Sequence, residues 1–147
     1  MLRLGATLAD PAVAGLYRLP DRLPRRTLLR RVAASELRFA SIAGAEIVDK
    51  AGFLRACATA FAFPPYFGRN WDALADCLMD LSWLPPTGHA ILYDHPAPLI
   101  RRSPDDWAMA RDIFADAARR WSAAGTPFVV LLRRTDGLLP DIPLLGI

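Results

Sequence analysis

Cysteine is scarce in this 147-residue chain, which has only Cys57 and Cys77. Two thiols cannot build the disulfide framework of a small secreted scaffold. Both fall in apolar stretches of helical character, so they are expected to be buried and free, as suits a reducing compartment. Histidine is equally rare, with His89 and His95 alone. No H-E-x-x-H, paired C-x-x-C or glycine-rich phosphate loop accompanies them, so nothing spells out a metal centre, a cofactor site or a nucleotide cradle. Apolar runs are short, and none approaches the roughly 20 residues of a membrane span. The opening stretch is broken by Asp10 and Pro11, leaving no apolar segment of signal-peptide length. The expectation is a soluble, cytoplasmic protein. Repeats, low-complexity tracts and clear linkers are also missing. One domain over 1–147 is expected, with a β-α extension (1–36), a compact core (37–134) and an irregular tail (135–147).

What is present is apolar substance and an uneven charge. Hydrophobic residues make up 53% of the chain, enough at this length for a substantial core. The formal net charge is +3, a mildly basic balance that points weakly toward an anionic partner. The excess sits at one end. Residues 1–37 carry a net +4, through Arg3, Arg18, Arg22, Arg25, Arg26, Arg30 and Arg31, and the remainder carries −1.

Periodicity orders the elements. Residues 14–20 read as a short strand closed by Pro20. Residues 21–36 read as a helix in which Leu28, Leu29 and Val32 form a stripe flanked by arginines, with Pro24 near the first turn where proline is tolerated. A β-rich run over 37–44 ends in glycine. Asp49 then caps a helix through Phe53, Leu54, Cys57 and Phe61. Asn70 caps another from Trp71 to about Leu81, which Pro85 and Pro86 stop. Residues 89–95 form a strand. Ser103, Pro104, Asp105 and Asp106 open a long helix that Gly125 closes. "PFVVLL" has the continuous apolar character of a buried parallel strand. The tail has too many breakers for regular structure, but its leucines and isoleucines are expected to pack on the body. Strands alternate with helices, so the fold class is α/β, a small, mainly parallel sheet packed against helices.

The most informative stretch is "FPPYFGRNWDALADCLMDLSW", residues 63–83. At about 100° per residue, Trp71, Leu74, Leu78 and Leu81 form a buried seam. Asp72, Asp76 and Asp80 fall on the opposite side, with Met79 and Trp83. Carboxylates spaced by four residues repel one another by a few tenths of a kcal/mol. No lysine or arginine lies between Trp71 and Asp94 to relieve them. Asp72 sits in the first turn, where the helix dipole favours it, whereas Asp80 sits where negative charge is disfavoured. A solvated face is the plain reading. An interface with a cationic partner is the sharper one, favoured by the large apolar residues among the charges.

This stretch resembles the barstar family of intracellular ribonuclease inhibitors. The residues that carry the resemblance are Pro64, Tyr66, Phe67, Gly68, Asn70, Asp72, Ala73, Leu74, Asp76, Cys77 and Leu78. The likeness extends more loosely from about Arg38 to Leu132, leaving residues 1–36 and the tail outside. It implies a barstar-like fold and a non-catalytic inhibitor of a basic, guanyl-specific, barnase-like ribonuclease, bound as a 1:1 complex. In that reading Asp76 occupies the enzyme's phosphate position, Asp72 supports it, and Tyr66 and Asn70 are loop contacts. Gly68 gives the loop its tight turn. Ala75 stands where known members carry a tryptophan and Met79 where a threonine contributes. Asp80, Met79 and Trp83 complete the expected partner-binding set.

Two other function classes compete with this one. An enzyme could use the adjacent Asp94 and His95, but no ligand or nucleophile set surrounds them, and a helix-interior Cys77 beside carboxylates is shifted away from reactivity. A nucleic-acid binder could use "RLPRRTLLRR", which has the charge of an electrostatic footprint but no aromatic interleaving. Nucleic acid is therefore not expected as a partner on the sequence alone. An antitoxin or interaction module for a different basic nuclease or toxin, or an RNA-associated protein using the N-terminal arginine cluster, stays open as the alternative.

Overall fold

The computed structural model describes residues 8–65 and 67–146. Four strands, β1 (Gly15–Arg18), β2 (Arg38–Ala43), β3 (His89–Asp94) and β4 (Phe128–Arg133), form one sheet in the order β1-β4-β3-β2. All three pairings are parallel, so the sheet is wholly rather than mainly parallel. Central β3 and β4 are buried over five of their six residues, because side chains alternate between two covered faces.

Among the described residues five α-helices cover the sheet: α1 (Arg25–Ala34), α2 (Lys50–Ala60), α3 (Trp71–Asp80), α4 (Ala97–Arg102) and α5 (Pro104–Ala123). On the first face, Ile42, Ile91, Tyr93, Phe128, Val130 and Leu132 meet α2, α3 and α5 through residues such as Phe53, Leu54, Leu74, Leu78, Phe114 and Ala117. On the second face, Ala90, Leu92, Val129 and Leu131 meet Leu28 and Val32 of α1, together with Leu8, Leu19, Leu23 and Leu145. The two-sided cover follows from handedness. The chain steps from β2 to β3 to β4 in one direction across the sheet, and its helices lie on the first face. From β1 to β2 it crosses the opposite way, so a crossover of the same hand lays α1 on the other face.

Several boundaries follow from local chemistry. Asp49 caps α2 by accepting from the Gly52 N–H at 2.9 Å. Ser103 precedes α5 as expected but makes no side-chain cap; its hydroxyl donates to the Val48 carbonyl at 2.7 Å and ties α5 to the start of α2. The six-residue α4 was not expected, since Pro96, Pro98, Arg101 and Arg102 leave no apolar period in that stretch. The tail packs as expected, with Leu139, Ile142 and Leu145 buried. Its backbone also extends the edge of β1: the Arg18 N–H donates to Pro143 O and the Leu145 N–H to Arg18 O, each at 2.8 Å. No described helix is long and apolar enough to cross a membrane.

Candidate protein-binding face

Helix α3 starts where Asn70 adopts extended backbone and accepts the Ala73 N–H at 2.7 Å, satisfying one of the donors that every helix start leaves free. Leu74, Cys77 and Leu78 are buried against the core. Trp71 is half-buried beside Phe53, with the Lys50 ammonium 5.7 Å from its ring centroid. Asp72, Asp76 and Asp80 are all exposed. Among the described residues none of the three forms an ion pair or a side-chain hydrogen bond. Three like charges thus stand on one helix face without a counter-charge. The Cys77 thiol registers them: burial pushes its pKa up, and Asp76 and Asp80 push it further. That thiol is poorly suited to nucleophilic work. Burial also raises the pKa of Cys57, and both cysteines are free.

The helix ends at Asp80. Leu81 takes a left-handed conformation (φ 47°), with its N–H donating to Cys77 O at 3.1 Å. This turn redirects the chain, so the helical wheel that put Trp83 among the carboxylates does not reach it. Trp83 is half-buried, donates its indole N–H to Phe61 O at 2.9 Å and lies edge-on to Phe63 at 6.1 Å. Phe63 in turn contacts Phe67 at 4.8 Å. Trp83 therefore braces the loop that precedes α3. The missed signal was a tryptophan followed within three residues by Pro85 and Pro86, a sign that the helix had already stopped. Met79 and Ala75 lie on α3 and are half-buried.

Within the loop, Tyr66 lies outside the described residues. Gly68 does not have the left-handed backbone expected of a tight turn. The positive φ belongs to its neighbour Arg69, at 53°. A Cβ on Gly68 would meet Asn70 Nδ2 at 3.4 Å and the Ala73 Cβ at 3.5 Å, which are ordinary contacts. Among the described residues nothing demands a glycine at 68.

The groups considered for catalysis are engaged elsewhere. Asp94 accepts from Arg133 at 3.2 Å and bidentately from Arg134 at 3.0 and 2.7 Å. Burial pushes its pKa up, but the Arg134 hydrogen bonds and the charges of Arg134 and Arg133 outweigh that and hold it low. His95 faces Asp136, 3.5 Å away, so Asp94 does not orient it. His89 is buried beside Trp121 and Phe128. Burial, with the Arg38 charge, pushes its pKa down to about 4, so at neutral pH it is an uncharged core residue. Among the described residues no group of three potential ligands could hold a metal ion.

The family profile described as Barstar (barnase inhibitor) matches residues 37–133, about two thirds of the chain. That span runs from the residue before β2 to the end of β4 and includes the loop and all of α3; β1 and α1 fall outside it. No curated protein gave a match.

Proposed function

The chain belongs to the barstar family, whose members are non-enzymatic inhibitors, and from that premise we propose that it blocks a basic, guanyl-specific, barnase-like ribonuclease inside the cell. The observation that carries this reading is the row of exposed, unpaired carboxylates at Asp72, Asp76 and Asp80. A ribonuclease site is cationic because it binds phosphate. An aspartate on a rigid helix can take the phosphate's place and accept charge-assisted hydrogen bonds from the enzyme's basic groups. Asp76, at the centre of the row, is the plug. Asp72 supports it one turn before and Asp80 one turn after. Asn70, Gly68 and Tyr66 contribute the loop edge, and Ala75 and Met79 fill the space between the carboxylates. Trp83 acts from behind by holding Phe63 and the loop in place.

The unpaired state of these carboxylates favours tight binding. Among the described residues no internal ion pair must be broken before the partner is engaged, so association carries the usual costs of lost translational and rotational freedom, desolvation and ordering without a broken ion pair added to them. Their summed field also speeds encounter with a basic protein, and that gain falls with salt. A different basic nuclease or toxin would be recognised by the same chemistry, so specificity rests on the side chains between the charges.

The test is titration of a guanyl-specific ribonuclease from the same source with the wild-type chain and Asp76→Ala, at low and moderate salt. Stoichiometric inhibition by the wild type, weakened at least 30-fold by Asp76→Ala, is the expected result, following from the ~2–5 kcal/mol cost of stranding a buried charge. Equal inhibition by both proteins excludes Asp76 as the plug. No inhibition by the wild type moves the target to another basic protein.

A further inference from the structure

Helix α1 carries exposed charge of the opposite sign to α3. Arg22, Arg25, Arg26, Arg30 and Arg31 are all exposed, and among the described residues none forms a salt bridge. On a helical wheel Arg26 and Arg30 lie on the side away from the buried Leu28 and Val32, while Arg25 and Arg31 lie nearer the buried side, one to each side of it. Arg25 and Arg26 occupy the first turn, at the positive end of the helix dipole, with no acidic residue in that turn and no side-chain cap from Pro24.

The sequence showed no aromatic residue among these arginines, and the fold supplies two. Tyr17 of β1 and Phe39 of β2 are half-buried at the margin of the same apolar cluster that seats α1. The strand order places them on opposite edges of the sheet, about 14 Å apart across it at a strand spacing of ~4.8 Å, on the face that carries α1. A positive track beside partly open aromatic rings is the combination that holds single-stranded nucleic acid: arginines follow the phosphates, and rings stack on bases splayed from the strand.

We propose that this second face, built from α1 with Tyr17 and Phe39, is a binding surface for single-stranded RNA. It lies across the sheet from the acidic face of α3, so RNA and a protein partner would occupy opposite sides of the molecule.

The test uses the full chain with no ribonuclease present, so its result is independent of the inhibitor reading. Binding of a fluorescein-labelled 20-nucleotide polyuridine is followed by anisotropy from 50 to 200 mM salt, against polyglutamate of similar length as competitor. The expected result is binding at 50 mM salt that polyglutamate displaces poorly. Arg26→Ser combined with Arg30→Ser should weaken it at least 10-fold and reduce the salt slope by about 1.4, roughly 0.7 for each phosphate no longer neutralised. Both arginines are exposed, and an unchanged circular dichroism spectrum verifies the fold. Phe39→Leu should weaken binding severalfold and leave the salt slope unchanged, the signature of a stacking interaction. No binding at 50 mM salt, or full affinity in the double arginine variant, overturns the proposal. Equal competition by polyglutamate overturns it in favour of an acidic protein partner.

Discussion

Trp121 of α5 donates its indole N–H to the backbone carbonyl of Leu78 at 2.8 Å. Leu78 lies in the last turn of α3, where carbonyls have no partner within the helix. A side chain 43 residues away thus closes the C-terminal end of the acidic helix, beside Asp80. Trp121→Phe keeps an aromatic ring and removes the donor. It should cost about 1–2 kcal/mol, the price of leaving that carbonyl unsatisfied. Urea denaturation checks this, and an unchanged midpoint would show that water replaces the bond at no cost.

Removing charge from the exposed face of α3 should separate stability from binding. Asp80 lies in the last turn of α3, where the helix dipole opposes it, and one turn from Asp76. Asp80→Asn should raise stability by a few tenths of a kcal/mol while weakening inhibition and its salt dependence. Paired thermal melts and inhibition titrations measure both. A fall in stability would reveal a contact that Asp80 makes within the fold.

Acid should destabilise the protein in two stages. His89 has its pKa depressed to about 4 in the folded chain, mainly by burial. Unfolded, it titrates near about 6.5. The unfolded state therefore binds the proton first, so the stability tied to neutral His89 is complete above about pH 6.5 and diminishes as pH falls toward 4. Asp94, held low by Arg134 and Arg133, adds a second loss at still lower pH, as its carboxylate is protonated. Urea midpoints from pH 8 to 4 should decline for the wild type. They should decline less for His89→Gln, which cannot take up the proton. Parallel curves would assign the acid sensitivity to other groups.

The loop before α3 offers a distinction between fold and interface. With ordinary backbone and ordinary contacts at Gly68, Gly68→Ala should change stability by less than about 0.5 kcal/mol. Arg69→Gly should stabilise by roughly 0.5–1 kcal/mol by relieving its left-handed backbone. If Gly68→Ala is neutral for folding yet weakens inhibition, Gly68 lies against the partner. A large drop in stability would instead place its role inside the loop.

Much of this architecture was legible in the chain because the signals were local. Asn70 and Asp49 cap the helices they were expected to cap. The β4 run is apolar on both faces and is buried on both. The carboxylates are exposed because the 3.6-residue period around Leu74 and Leu78 fixes where Asp72, Asp76 and Asp80 point. What the sequence did not disclose depended on distant residues or on a single unusual dihedral. Leu81 leaves the helix in a conformation that leucine rarely adopts, and that turn carried Trp83 away from the charged face to Phe61. Ser103 gave up its cap for Val48, a partner 55 residues earlier in the chain. The rings flanking α1 come from two strands on opposite edges of the sheet, so no linear pattern of arginine and aromatic could show them.

The seam between Arg18 and Leu145 imposes an order of assembly. When α1 leaves the ribosome it has no sheet to lie on, because β3 and β4 have yet to be made. Once β4 is in place, β1 must return across more than a hundred residues of chain to pair with it. Its outer edge is sealed only by residues that follow β4 in the chain. The side that carries α3 is built from residues between β2 and β4, whereas the other side also needs β1 and the segment after β4. A chain cut just after β4 would present its acidic helix with the opposite face of the sheet unfinished.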